Sequence, residues 1–393
     1  MSVGQQESVS ARAEQVDRAP WWVSRRDELL DLARDHLNAY VYDSAVIRSA
    51  VARLRGLRSI DRLLYSMKAN FNPQVLRLLA ELGVDFECVS PGEIEHLRAT
   101  VRGLDSRRIL FTPNFAPRED YAWAMTHDVQ VTLDNLYPLQ AWPELFRGRR
   151  LFVRLDPGKG HGHHDHVKTA GEHSKFGIPL FEADELVSLI DRCAAEVIGI
   201  HAHIGSGIPI SENWGRVAEQ LVAVADRFPS AQVIDVGGGL GVPARADEPA
   251  FDLVGLDAAL AAVKARHPGY RFWLEPGRYF VSEAGILLTH VTQTKGKGTR
   301  KYVGVAAGMN ALIRPALYNA WHDIANLSRW GEAATETVTV VGPICESGDR
   351  LGTDRLLPPC RENDVIVIAN VGAYGRSMAS EYNLRPIPPE IVL

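Results

Sequence analysis

The sequence predicts a (β/α)8 TIM-type barrel followed by a second, mainly β domain of sandwich or barrel form. From about residue 40, short β-rich apolar runs alternate with stretches that are apolar at three- and four-residue intervals, which is typical of βα units around a parallel sheet. After about residue 285 the helical periodicity stops and strand-like runs continue. We therefore expect an N-terminal segment at 1–35 that packs on the β domain, a barrel at 36–285 and the β domain at 286–393.

Eight apolar runs form the predicted barrel strands, at residues 63–67, 84–89, 108–112, 129–133, 151–155, 197–203, 233–236 and 272–275. Helical periodicity fills the intervals at 73–82, 91–101, 117–125, 182–194, 214–228 and 256–266. Ser90, Pro91 and Glu93 together read as a helix start, with a serine N-cap, a first-turn proline and a glutamate three residues after the cap. An open doubly wound sheet is the alternative, but no GxGxxG follows the first strand. Strands of the β domain are predicted at 286–294, 301–307, 335–341 and 365–369.

Composition excludes several function classes. The net charge of −5, with no basic stripe, argues against a nucleic-acid partner. No apolar run approaches the roughly 20 residues of a membrane span, and charged residues interrupt the first 35 positions, so we expect a cytoplasmic protein. Four cysteines without CxxC spacing predict reduced thiols rather than a zinc site or a disulfide framework.

Lys68 ends the first predicted strand, where a buried amine would have a lowered pKa. A partly deprotonated amine can form a covalent bond with a carbonyl group, as lysines do with pyridoxal phosphate. The alternative is a strand-end lysine that extends into solvent.

The loops after the seventh and eighth strands carry Gly237, Gly238, Gly239 and Glu275. Consecutive glycines let backbone N–H groups approach a phosphate, and the loop after strand seven is a favoured phosphate position in such barrels, although it could be a plain turn. Glu275 could meet the nitrogen of a pyridoxal ring, or could simply pair with Arg278.

Two further residues follow the sixth strand. His203 could lie on the face of a bound ring and Ser206 could bind its phosphate, although strand-end histidines are often only hydrogen-bonded. A histidine-rich stretch is interpreted as a flexible loop over the barrel mouth rather than a metal site, because helical i,i+4 spacing and nearby cysteines are absent. Its members are His161, His163, His164 and His166.

The β domain carries its own candidates. The thiol of Cys345, next to Glu346, could donate a proton to a carbanion or could be a small apolar filler. Arg314 begins an Arg-Pro-Ala-Leu-Tyr run that ends at Tyr318, and its guanidinium suits bidentate carboxylate binding. Tyr374 supplies a phenol next to Gly-Ala.

Taken together, these motifs resemble the fold-type III pyridoxal-phosphate decarboxylases, whose barrel is of the alanine racemase type and which include diaminopimelate, ornithine and arginine decarboxylases. The resemblance covers almost the whole chain from about residue 40. It is carried by YSMKAN, FECVSPGE, HAHIGS, DVGGGLG, EPGR, RPALY, CESGD, GAY and EYNLRP. SKFG at 174–177 and CESGD are most similar to diaminopimelate decarboxylases. Asn370 in NVGAY and Gly207 after HIGS depart from the usual family residues.

The resemblance implies pyridoxal 5′-phosphate as cofactor and no metal. It assigns Lys68 to the covalent bond with the cofactor, His203 to ring stacking and Glu275 to the pyridinium. The residues that it assigns to the phosphate are Ser206, Gly237, Gly238, Gly239 and Tyr374. Those that it assigns to substrate are Arg278, Arg314, Tyr318, Glu346 and Tyr374, with Glu346 on the distal amine and Cys345 as proton donor.

The implied reaction is decarboxylation of meso-2,6-diaminopimelate to L-lysine and CO2, the last step of lysine biosynthesis. The implied assembly is a homodimer whose active sites are shared across the interface. Alternatives are a decarboxylase of ornithine, arginine or carboxynorspermidine, or a non-catalytic regulator, which would be expected to lack Lys68 or Cys345. An alanine racemase shares the barrel but gives no reason for the CESGD loop.

Overall fold

The computed structural model describes residues 19–158, 174–245 and 247–393, which form two compact units. The barrel unit contains Ile47–Val242 and Phe251–Val281, and the β unit contains the described residues up to Val46, together with Pro243–Ala250 and Ser282–Leu393. The four histidines at 161–166 lie outside the described residues. Within the described ranges, no helix is both long and apolar enough to cross a bilayer.

Eight parallel strands of the described chain close into a barrel, which confirms the predicted fold class. They are β2 (Arg62–Ser66), β3 (Asp85–Cys88), β4 (Ile109–Phe111), β5 (Gln130–Leu133), β6 (Arg150–Asp156), β8 (Glu196–His201), β9 (Val233–Asp235) and β10 (Arg271–Leu274). Pairing of β5 with β6 completes the closure, and a two-residue strand, β7 (Ile178–Pro179), adds to β6. All eight predicted strands are present, with ends shifted by one or two residues.

Helices follow the barrel strands as the apolar spacing predicts. The helices of this unit are Ser44–Arg55, Pro73–Glu81, Pro91–Thr100, Arg118–Thr126, Tyr137–Ala141, Pro143–Phe146, Ala183–Cys193, Glu212–Ala225, Leu253–Arg266 and Arg278–Val281. Short 3-10 turns lie at Met67–Ala69, Ser106–Arg108 and Leu180–Glu182. The predicted start at Ser90 is confirmed, because its hydroxyl accepts the Glu93 N–H at 3.2 Å and the Glu93 carboxylate accepts the Val89 N–H at 2.8 Å. A cap of this kind stabilises a helix by about 1 kcal/mol.

The β unit contains an eight-stranded sheet. Its strands are β1 (Asn38–Tyr42), β11 (Gly285–Lys297), β12 (Arg300–Val305), β13 (Ile324–Asn326), β14 (Glu336–Val341), β15 (Arg350–Leu357), β16 (Val365–Ile368) and β17 (Glu390–Val392). Its helical segments are Trp21–Ser24, Arg26–Asp35, Arg314–Tyr318, Arg376–Met378 and Tyr382–Leu384. A turn at Gly298, which has φ +60°, connects β11 to β12.

Strand β1 is the main departure from the sequence interpretation. Although it lies within the range 36–285 that was predicted as barrel, it pairs antiparallel with β11 and parallel with β17 in the β unit. Its partners lie about 250 and 350 residues further along the chain, so local periodicity gives no information about this pairing. The predicted domain division stays a prediction.

The N-terminal helices pack within the β unit. Trp22 is buried with Leu29 and Ala33 against Leu288 and Val367 of the sheet. The indole N–H of Trp21 donates to the Glu283 carbonyl at 2.9 Å, so the Trp21–Trp22 pair is held by both apolar and polar contacts.

Candidate active site

Lys68 lies in the 3-10 turn after β2, at the carboxyl end of the barrel strand. Its Nζ is 2.9 Å from Oε2 and 3.2 Å from Oε1 of Glu87, which is on β3 and almost fully buried. The lysine side chain itself is 43 % exposed in the single chain, so the amine is less buried than the sequence suggested. A buried carboxylate therefore fixes a partly accessible amine, and that carboxylate was not among the predicted site residues.

Glu275 directly follows β10 and is only 4 % exposed. His201, at the end of β8, donates through Nε2 to Glu275 Oε2 at 3.0 Å. Burial by itself would raise the pKa of Glu275, but the interaction with His201, including its hydrogen bond, and the charge of Lys68 bring that pKa below its ordinary value. Glu275 Oε1 accepts no hydrogen bond from an amide, hydroxyl or ring N–H of the described residues, and the carboxyl group of Asp235 is its hydrogen-bonding neighbour.

Asp235 at the end of β9 is a second buried carboxyl group close to Glu275. Burial, and then the charge of Glu275, raise the pKa of Asp235 well above its ordinary value. Its Oδ1 accepts the Gly237 N–H at 2.9 Å and so fixes the start of the glycine loop. The pKa values of these two neighbouring acids are thus shifted in opposite directions, that of Asp235 upward and that of Glu275 downward.

Ligand atoms of His201, Asp235 and Glu275 lie within 4.8 Å of one another, which is close enough to share a metal ion. The donor set argues for a different use. His201 is already bound to Glu275, and Asp235, whose pKa is raised by burial, is a poor metal ligand because ligating carboxylates must be deprotonated.

His203 lies two residues beyond β8. Burial, and then the charges of Arg154 and Lys68, lower the pKa of His203 well below its ordinary value. Its Nδ1 accepts the Gly238 N–H at 3.1 Å, so the ring is neutral and its proton resides on Nε2. Arg154, near the end of β6 and 6 % exposed, places its guanidinium 4.5 Å from the Phe176 ring centroid and supplies positive charge to this part of the barrel.

The three glycines after β9 are required by close backbone contacts. A Cβ atom on Gly237 would lie 2.5 Å from the Ala202 carbonyl oxygen, and one on Gly238 or Gly239 would overlap the carbonyl oxygen of Glu275 or Gly205. Gly237 and Gly239 also have φ values of +67° and +93°. The loop is therefore a packed backbone cradle rather than a plain turn.

A methyl group on residue 238 would overlap the Glu275 carbonyl oxygen, so replacing Gly238 by alanine should displace the backbone of the glycine cradle. We expect Gly238→Ala to weaken binding of pyridoxal phosphate, the cofactor that the family resemblance implies, by at least about tenfold. This is the effect of losing one well-placed backbone hydrogen bond to a charged group. Equilibrium binding of the cofactor to the purified apo-protein measures the effect. Gly269→Ala is the matched control, because a Cβ there meets nothing within 4 Å. Equal affinities in the two variants would contradict the assigned role.

Ser206 and Arg278 come together in the barrel unit. The Arg278 Nη2 donates to the Ser206 hydroxyl oxygen at 3.2 Å, with Nε at 3.4 Å. The guanidinium predicted for substrate thus lies next to the hydroxyl predicted for phosphate, and the alternative Glu275–Arg278 pair is not among the described ion pairs.

In the β unit, Cys345 and Glu346 lie on an exposed loop after β14. The Cys345 N–H donates to Asn383 Oδ1 at 2.7 Å, and Glu346 Oε1 accepts the Tyr382 hydroxyl at 2.5 Å. Cys345 is exposed and is not an apolar filler, whereas Cys88, Cys193 and Cys360 are buried. All four are free thiols, as predicted.

The remaining predicted residues also lie in the β unit. Arg314 begins the helix Arg314–Tyr318 and is 6 % exposed, with Nη1 3.4 Å from His322 Nε2. His322 Nδ1 donates to the Ala369 carbonyl at 2.8 Å, which leaves Nε2 as the acceptor for the guanidinium. Tyr374 has φ +60°, an uncommon value for a bulky residue and one often found at functional sites.

Glu93, in the helix after Glu87, gives a prediction about stability and pH. Burial raises the pKa of Glu93 to about 7, although the Val89 N–H opposes the shift. Because the folded pKa is above the unfolded one, the contribution of Glu93 is present in acid and is lost as the pH rises through 7. A glutamine at position 93 does not titrate. The free energy of unfolding of Glu93→Gln minus that of wild type should therefore increase by up to about 3 kcal/mol as the pH rises from 4.5 to 8.

Denaturant unfolding at several pH values measures this difference. The exposed Glu95→Gln in the same helix is the control and should show no such trend. A constant difference between wild type and Glu93→Gln across this range would contradict the assigned burial effect.

Comparisons with known proteins agree with this geometry. Residues 45–282 match the family model described as pyridoxal-dependent decarboxylase, pyridoxal binding domain. The chain is 39 % identical over 370 residues to a diaminopimelate decarboxylase of Methanothermobacter thermautotrophicus, covering 90 % of this chain and 86 % of the relative. It is 35 % identical to that of Escherichia coli K12, covering 90 % and 88 %. It also resembles the crystal structure of Helicobacter pylori diaminopimelate decarboxylase complexed with L-lysine, with TM-score 0.82, 29 % identity and coverage of 92 % and 93 %.

Proposed function

The chain belongs to the pyridoxal-dependent decarboxylases, and we propose that it converts meso-2,6-diaminopimelate to L-lysine and CO2 with pyridoxal 5′-phosphate as cofactor. The observation that carries the proposal is the set of groups after β2, β8, β9 and β10 of one closed barrel. These groups are the Lys68 amine, the neutral His203 ring, the glycine cradle and the ionised Glu275. Relatives along nine-tenths of the chain carry the same activity in their names.

The residues present fit this cofactor. Glu275 Oε1 is buried and accepts no N–H of the described chain, as required of an acceptor for a ring N–H. The glycine cradle, together with the Ser206 hydroxyl and the Arg278 guanidinium, suits a phosphate group. Lys68 provides an accessible amine for the aldehyde. When bound, pyridoxal phosphate accepts the electron pair that the departing CO2 leaves behind.

The chain's own groups control charge and protons around that site. Glu87 holds the Lys68 amine in place and can exchange a proton with Nζ. His201 keeps Glu275 ionised, and a carboxylate there favours a protonated ring nitrogen. His203 offers an uncharged aromatic face, because burial and two cations prevent its protonation. Burial favours the uncharged form of Asp235, and its Oδ1 accepts the Gly237 N–H. Asp235 thereby connects Glu275, the partner of the ring nitrogen, to the glycine cradle.

We assign substrate recognition from the family resemblance. Cys345 returns a proton to the α-carbon, and Glu346 binds the distal ammonium group. The other substrate-binding residues are Arg278, Arg314, Tyr318 and Tyr374, with Tyr374 also assigned to the cofactor phosphate. We further propose a homodimer in which the Cys345 loop completes the active site of the partner subunit. The exposure of both Cys345 and Glu346 in the single chain supports this assembly. The cytoplasmic location stays a prediction.

Substrate selectivity tests this assignment. We expect kcat/KM for meso-diaminopimelate to exceed that for lysine, ornithine or arginine by about 10⁴-fold, because a shorter or uncarboxylated substrate leaves buried charged groups unpaired. Quantifying CO2 and amine products from the panel measures it. Equal rates with ornithine or lysine would contradict the proposed substrate.

A further inference from the structure

The C-terminal segment that contains Tyr382 and Asn383 contacts two consecutive residues of the Cys345 loop. The Tyr382 hydroxyl donates to Glu346 Oε1 at 2.5 Å, and the Cys345 N–H donates to Asn383 Oδ1 at 2.7 Å. Both contacts lie within the β unit and join segments about 36 residues apart. One segment therefore holds both the thiol-bearing residue and the neighbouring carboxylate.

The backbone of this segment is strained. Asn383 and Leu384 have φ values of +56° and +55°, in the left-handed region that non-glycine residues rarely adopt. Apolar burial does not explain the conformation, because Leu384 is 94 % exposed. Strain of this kind persists where other contacts maintain it, and Tyr382 and Asn383 each make a hydrogen bond to the Cys345 loop.

The base of the Cys345 loop is held from inside the unit by a different residue. Asp349, 3 % exposed, accepts the Met309 N–H at 2.6 Å through Oδ1 and the Ile344 N–H at 2.7 Å through Oδ2. These bonds fix the two ends of the turn. At the exposed tip, the Glu346 backbone bonds to Ile344 and Asp349, and the C-terminal segment bonds to the Cys345 N–H and the Glu346 side chain.

We propose that Tyr382 and Asn383 are positioning residues that set the direction of the Glu346 carboxylate and of the Cys345 backbone. The inference rests on the proposed function, in which Glu346 binds the distal ammonium and Cys345 returns the proton. The Tyr382 hydroxyl donates a hydrogen bond to Oε1 of Glu346, which leaves Oε2 to bind the distal ammonium group of the substrate. The Glu346 carboxylate raises the pKa of the Tyr382 phenol, which keeps the donor protonated.

A double-mutant cycle tests the contribution of the phenol. Tyr382→Phe should raise KM for meso-diaminopimelate about tenfold, with a much smaller change in kcat, because it removes one hydrogen bond to a charged group. In a Glu346→Ala background, which has no acceptor for the phenol, the same change should have little further effect. Tyr302→Phe, on β12, is the matched control. Equal effects of Tyr382→Phe in the two backgrounds would overturn the proposal for Tyr382.

Hydrogen exchange tests the contribution of the amide without any need for catalysis. Asn383→Gly keeps a residue that tolerates positive φ and removes the acceptor, so the Cys345 amide should exchange about tenfold faster. Asn383→Asp keeps Oδ1 and should retain the slow exchange. Unchanged exchange in Asn383→Gly would overturn the role of Asn383. Faster exchange in a protein that does not decarboxylate diaminopimelate would support the positioning role and reject the proposed function.

Discussion

Lys68→Ala is expected to abolish decarboxylation, with a loss in kcat/KM on the order of 10⁴-fold or more, the scale seen when a covalent catalytic group is removed. The same substitution should remove the absorbance band of the lysine-bound cofactor. Both effects are expected because Lys68 carries the amine at the end of β2, where Glu87 Oε2 binds Nζ at 2.9 Å. Single-turnover assays and absorbance spectra of the reconstituted protein measure the two effects.

Two control variants separate the amine from its charge. Lys68→Arg keeps a cation for Glu87, but a guanidinium stays protonated and cannot bond to the aldehyde, so activity should still be lost. Lys264→Ala removes another lysine of the barrel unit, one that pairs with Asp61, and should keep the band. A normal band in Lys68→Ala would show that the cofactor is attached elsewhere.

Glu275→Gln should lower kcat by about 10² to 10³-fold, the usual effect of removing one preorganised electrostatic partner. The amide keeps the shape of the side chain but not the charge that favours a protonated ring nitrogen. Glu275→Asp should recover part of the rate, because it keeps a carboxylate. Steady-state kinetics on protein saturated with cofactor measure the effect.

Asp235→Asn is the informative comparison for Glu275→Gln. Because burial raises the pKa of Asp235 and so favours its uncharged form, the amide preserves that charge and the acceptor for the Gly237 N–H, and the loss of kcat should be far smaller. Similar losses in the two variants would contradict the opposite pKa shifts of this pair.

The sequence predicted the barrel well because its signals are local. Each strand and its following helix show their own periodicity, and the residues with unusual chemistry, such as Lys68, Gly238 and Glu275, follow strand ends where such barrels carry their active sites. Strand β1 was missed because its partners lie about 250 and 350 residues away.

The supporting residues of the site were harder to predict. Glu87, Asp235 and Arg154 are charged residues within apolar strands and had no assigned role. A signal was available, since a charge in a buried strand must find a partner. Which partner it finds depends on three-dimensional proximity, as for Lys68 with Glu87. Likewise EYNLRP supported the family resemblance, but its contacts with Cys345 and Glu346 became evident only from the folded unit.

The most direct test of the account is the stoichiometry of the reaction. Purified protein reconstituted with pyridoxal 5′-phosphate is incubated with meso-diaminopimelate, and CO2, L-lysine and remaining substrate are quantified together. We predict one CO2 and one L-lysine for each substrate molecule consumed, with no turnover when the cofactor is omitted. Consumption or isomerisation of the substrate without CO2 release, or the same turnover without the cofactor, would contradict the account.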